Sequence, residues 1–180
     1  SKALVQNRTY DLITSFKVLE HLMDPSGAIS DMAACLNDKG YLVIEVPDSE
    51  VPKSDQLPDF FAFDHLFHFT RTTLGAMLER RGFRIIDSDQ FNYDLSSGTP
   101  GPAFRMLAQK TNSASEVFLH KNEYSSQLDR MYNYRRYHDS YVAKFQAKVN
   151  VIAKRVGKEP IAIYCGGEHT AELVARLDLS

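Results

Sequence analysis

The chain has 180 residues, 43% hydrophobic and 24% charged, enough for one good core and part of a second domain. Its net charge of -2, from 21 Lys and Arg against 23 Asp and Glu, argues against a general nucleic-acid-binding surface, and no apolar run is long enough to span a membrane. Two cysteines, Cys35 and Cys165, lie in unlike contexts and suggest neither a disulfide framework nor a zinc knuckle, so a reducing, cytoplasmic setting is expected. The opening SKALVQNRTYD lacks the apolar segment of a signal peptide.

In chain order, YDLITSF (10–16) reads as a buried parallel strand, a short apolar run ending in small polar residues. DPSGAISDMAACLNDKG then predicts a helix, capped by Asp24 or Ser26, with Ile29, Met32, Ala33 and Leu36 on one face and Gly40 after its end. YLVIEVP (41–47) predicts the next strand, stopped by Pro47. A polar, proline-containing loop leads into FDHLFHFT (63–70). There, two imidazoles sit among phenylalanines, although their nitrogens need partners wherever they are buried. Thr70 is the predicted N-cap of RTTLGAMLERRGF, with Leu74, Met77 and Leu78 as its apolar stripe and Gly82 as its exit. FRIIDSDQF and AFRMLAQK predict two further strands, separated by the turn-rich NYDLSSGTPGP. The alternation is that of an α/β fold.

From Ser113 to Val156 there is neither glycine nor proline, and Val117, Tyr124, Leu128, Met131, Phe145, Val149 and Ile152 recur largely at helical spacing. One long helix, or two with a break near NYRRYHDSY, is expected. Its tyrosines 134, 137 and 141 share a stripe with Phe145, which packing explains more simply than nucleic-acid binding does. After GKEP, IAIYCGGEHTAELVARLDLS predicts a strand, a glycine turn and a helix, the start of a second α/β unit. Gly166 and Gly167 could present backbone N–H groups to a phosphate of the substrate, or could simply make a tight turn.

YDLITSFKVLEHLMDPSGAISDMAACLNDKGYLVIEVP, followed by FDHLFHFTRTTLGAMLERRGFRII, resembles the C-terminal half of a class I S-adenosylmethionine-dependent methyltransferase over roughly residues 9–110. Its more specific resemblance is to sugar C-methyltransferases, which carry a C-terminal Rossmann-like domain. This implies a partial Rossmann-like sheet over 1–110, a helical connector over 111–158 and the first strand, turn and helix of a second unit over 159–180. The glycine-rich loop that holds the cofactor's methionine and ribose in this fold has no counterpart here. A fragment with weak S-adenosylmethionine binding of its own, and with uncovered edges that favour a homo-oligomer, is therefore expected.

The resemblance also assigns candidate residues. Ser15, Phe16 and Lys17, where a strand meets its loop, would line the cofactor's methionine end. Glu20 and His21 would organise the helix entrance. Some relatives hold a divalent metal here with Glu-x-x-Glu-His; Lys17 stands at the first acid, and no metal is expected. His65 matches the base that deprotonates the substrate, with His68 as a second candidate. Asp64 would hold the substrate or the ring, and Phe61, Phe63 and Phe67 would wall a water-poor pocket. The implied reaction is methyl transfer to a small molecule, such as a nucleotide-linked sugar. A different small-molecule methyltransferase, or a non-enzymatic dimerisation or scaffold module, is the alternative.

Overall fold

A computed structural model of the chain describes residues 8–50, 64–94, 100–111, 113, 121–157, 162, 170 and 174–178. Its elements in order are β1 (Tyr10–Phe16), a single 3-10 turn (Leu19–His21), α1 (Pro25–Cys35), β2 (Leu36–Pro47), α2 (Arg71–Arg80), β3 (Phe83–Asp94), β4 (Pro100–Lys110) and α3 (Lys121–Val156). The chain forms two compact units, Ser1–Leu128 and Asp129–Ser180.

The first unit is a four-stranded sheet in the order β1-β2-β4-β3, with β1 parallel to β2 and the other pairs antiparallel. It is the α/β class that the alternation of elements predicts. Strand alternation sends Leu42, Ile44 and Val46 of β2 to one face, where they join Leu19, Ile29, Phe69, Leu74, Leu78, Phe104 and Met106 in one buried core. The helical members of that cluster are the apolar stripes expected for α1 and α2, with Met32, Ala33 and Met77 packed partly buried against it.

Local chemistry accounts for most boundaries. The Asp24 carboxylate accepts from Gly27 N at 2.8 Å, and Pro25 follows at the first helical position, where its missing N–H costs nothing. Thr70 and Thr73 form a reciprocal capping box at the start of α2. Gly82, at φ 81°, turns the chain into β3 in a conformation that glycine takes without strain.

Two expectations need correction, and one open alternative is resolved. The first helix does not run to Gly40: it ends at Cys35, and β2 begins at Leu36, which is extended and 1% exposed. Leu36 reaches the core only by leaving the helix. Gly40 instead serves close packing, because a Cβ there would lie 2.9 Å from Asn37 O and 3.2 Å from Tyr10 O. Of the two alternatives for the long helical stretch, the single helix holds: α3 is one unbroken helix of 36 residues through NYRRYHDSY, about 54 Å along its axis. The second correction concerns β1, which has the apolar sequence of a buried strand, yet Tyr10, Leu12 and Phe16 are 40%, 55% and 48% exposed. Among the described residues it pairs on one side only, as the edge strand of the sheet. The strand expected near Ile161, together with Gly166 and Gly167, lies outside the described residues.

Candidate functional site

The carboxyl ends of the parallel strands β1 and β2 are where an open α/β sheet presents its ligand-binding loops. Beyond β1, Lys17 takes a left-handed backbone conformation, φ 56°, while its N–H donates to Glu45 O at 2.9 Å, and the chain enters the Leu19–His21 turn. This sharp exit buries Leu19 and Glu20, at 0% and 1% exposure, and leaves His21 outside. Beyond β2, Asp48 pairs with Phe69 in a parallel bridge, and Ser49 N–H donates to Phe69 O at 3.0 Å. Phe67 N–H donates to Glu20 O at 3.1 Å. The histidine segment is thus tied to both strand exits by main-chain hydrogen bonds, so its rings are positioned by backbone rather than by flexible side chains.

Three polar side chains converge there. The His21 and His65 rings meet edge to face, with centroids 4.8 Å apart, and His68 lies 6.2 Å beyond His65. His21 Nδ1 is 3.0 Å from the Asp64 carbonyl oxygen, which only accepts, so Nδ1 carries a proton and the lone pair of the neutral ring is on Nε2. The same ring has Asp64 Oδ2 at 3.7 Å and Glu20 Oε1 at 4.0 Å.

Burial lowers the pKa of His65 by disfavouring its charged form, with the Asp64 and Glu20 carboxylates opposing the shift; its neutral, proton-accepting form is therefore favoured near pH 7. Loss of solvation also lowers His68, with His65 adding to the effect, although the residue as a whole is exposed. Burial lowers Lys17 as well, opposed by Glu45 and Glu20; its Nζ lies 4.0 Å from Glu45 Oε1.

The structure places His65, His68 and Asp64 in one segment and brings Glu20 and His21 to it. Asp64 reaches His21 rather than the His65 ring. Ser15 is half-buried, and Phe16 is half-exposed at the end of β1. Phe67 is 37% exposed and stacks on Phe69 at 6.2 Å. Phe61 and Phe63 lie outside the described residues. Sequence reasoning also missed an ion pair on the open face of the sheet, where Arg105 Nη2 donates to Glu45 Oε2 at 2.6 Å while its guanidinium rests over the Phe16 and Phe91 rings, about 5 Å from each. Only cross-strand register, in which Phe16, Glu45 and Arg105 are consecutive partners, brings these residues together.

No helix among the described residues is long and apolar enough to cross a membrane. No curated protein matches the chain. Solved structures that match include an S-adenosylmethionine-dependent methyltransferase from Methanosarcina mazei, with 18% identity and a TM-score of 0.47, over 58% of this chain and 61% of that one. Another is the N-methyltransferase NodS from Bradyrhizobium japonicum in complex with S-adenosyl-L-homocysteine, with 15% identity and a TM-score of 0.44, over 60% of this chain and 50% of that one. The chain spans less than two thirds of the length of either. A family profile described as a methyltransferase domain matches residues 1–88, which include β1, α1, β2, α2 and every histidine of the cluster. Residues 1–88 of this chain are thus similar in sequence to a methyltransferase domain.

Proposed function

We propose that residues 1–110 are the C-terminal half of a class I methyltransferase domain and that the intact protein transfers a methyl group from S-adenosylmethionine to a small molecule, a nucleotide-linked sugar being the favoured acceptor. The observation that carries this reading is the coincidence of the methyltransferase match with the gathering of Glu20, His21, Asp64 and His65 at the carboxyl ends of the parallel pair. The antiparallel β4–β3 pair beyond β2, and the exposed apolar edge of β1 where further strands would dock, also support it. The division into 1–110, a connector over 111–158 and a second unit from 159 is part of the same proposal.

The residues at the end of β1 suit one side of a cofactor site. Phe16 keeps half its ring open as an apolar surface for the methionine end, with Ser15 and Lys17 beside it. Bound there, S-adenosylmethionine supplies an electrophilic methyl on a sulfonium centre. The protein's own task would be to present the acceptor and take up its proton on neutral His65, leaving on the acceptor the electron pair that the methyl group would be transferred to. Asp64 fixes the neighbouring His21 through its carbonyl. His68 is the second proton acceptor in reach.

Incubating the intact protein with methyl-labelled S-adenosylmethionine and a panel of nucleotide-linked sugars tests the reading. Label should move to a sugar of the panel. Label reaching only other small molecules would keep the methyltransferase and discard the sugar, and no transfer to any acceptor would favour the scaffold alternative.

A further inference from the structure

Methyl transfer leaves part of this cluster's chemistry unused. Glu20 is 1% exposed, and its Oε2 is buried without a hydrogen-bond partner among the described residues. His65 Nδ1 is buried in the same condition. An unpaired buried carboxylate oxygen and an unpaired imidazole nitrogen are costly to hold side by side unless something satisfies both. His21 supplies a third group, since its bond to the Asp64 carbonyl directs the ring and leaves the Nε2 lone pair available. That is how a metal-binding histidine is usually held, with one nitrogen donating to a carbonyl and the other facing the ion. One ligand atom from each of Glu20, His21 and His65 lies within 4.8 Å of the others.

We propose that Glu20, His21 and His65 form a binding site for a divalent transition-metal ion. Ligand atoms on a tetrahedral zinc ion sit about 3.4 Å apart, so small side-chain rotations would close the set around one ion. Two imidazoles with one carboxylate select zinc, cobalt, nickel or iron(II) over calcium or magnesium, which prefer all-oxygen shells. Three protein ligands leave a position for solvent or for an oxygen of a bound molecule. Lys17 stands where an acid would complete a Glu-x-x-Glu-His set, and its ammonium lies beside Glu45; the third ligand comes instead from His65, 44 residues beyond His21 in the chain.

The site does not depend on the methyl-transfer reading, because it rests on the cluster alone. Ligation uses the same ring lone pair that proton uptake by His65 would use, so a bound ion and His65-assisted proton removal exclude one another.

Cobalt(II) titration of the chelator-treated 180-residue chain, without S-adenosylmethionine or acceptor, reads the site through its visible d–d absorption. One ion per chain should bind at micromolar concentration and be displaced by one equivalent of zinc. Exposed His21 can be replaced without disturbing the core, and His21→Ala should weaken binding about tenfold or more, as should His65→Ala. His138→Gln in the second unit should bind like the parent. Absence of d–d bands at 100-fold excess cobalt, or undiminished binding by a folded His21→Ala variant, would overturn the site.

Discussion

His65 combines a ring nitrogen enclosed by protein with a pKa that burial lowers, so that the neutral imidazole prevails near pH 7; His68 shares the lowered pKa but is an exposed residue. A neutral imidazole beside the acceptor is what proton removal needs. His65→Gln in the intact protein should lower single-turnover methyl transfer about 10²-fold, the usual scale for a lost general base, and leave S-adenosylmethionine affinity nearly unchanged. His68→Ala, at the solvent-facing end of the trio, should have the smaller effect; equal rates for parent and His65→Gln would return His65 to a packing role. Asp48 tests the electrostatics of the loop separately. It is fully buried, and burial raises its pKa, with the Glu50 N–H and Gln90 amide hydrogen bonds opposing. A carboxyl with a raised folded-state pKa contributes stability that is fully present below the unfolded value of about 3.9 and is lost as pH rises through the folded value. Asp48→Asn removes that dependence, so urea midpoints should shift in the variant's favour, relative to the parent, between about pH 4 and pH 7. A constant difference over that window would contradict the assignment. At this scale the sequence revealed the residue types but not their partners. DH at 64–65 and EH at 20–21 were visible, whereas burial of Glu20 and the His21–Asp64 bond depend on a contact across 43 residues.

Among the elements, helix α2 was the most legible, since Thr70, its apolar stripe and Gly82 state its beginning, face and end in local chemistry. The junction of α1 with β2 was the least. Gly40 reads as a helix stop, yet it sits inside β2 with Lys39 before it at φ 61° and the Tyr10 carbonyl at its back. Tertiary contact decides there: Leu36 enters the core, Asn37 bonds to Asp11 at 2.6 Å, and the Lys110 ammonium bonds to Leu36 O at 2.7 Å. Gly40→Ala should therefore destabilise the fold by about 1–3 kcal/mol, because its methyl group meets main-chain oxygens that are fixed by pairing. Chemical denaturation reads this directly, and an unchanged midpoint would restore Gly40 to a helix-terminating role. Strand β1 misled for a related reason. Its composition reports burial on both faces, and the described chain covers only part of it.

Over the whole molecule, the α/β sheet and the long helix were legible from alternation and periodicity, while the assignment to methyl transfer came from linked motifs and from the profile match over 1–88. The exposed side chains of β1 and the largely exposed Tyr124, Met131 and Tyr132 of α3 leave apolar surface open. The 180-residue chain should accordingly self-associate, and light scattering at rising concentration should show a mass above 20.4 kDa; a constant monomer would contradict that. The central claim, that residues 1–110 are one half of an S-adenosylmethionine site, is tested most directly by calorimetric titration of that cofactor into the intact protein and into this chain. The account predicts micromolar or tighter binding by the intact protein, about -8 kcal/mol or better, and binding at least about 100-fold weaker by the chain alone. No binding by the intact protein, or equal affinity for both, would contradict it.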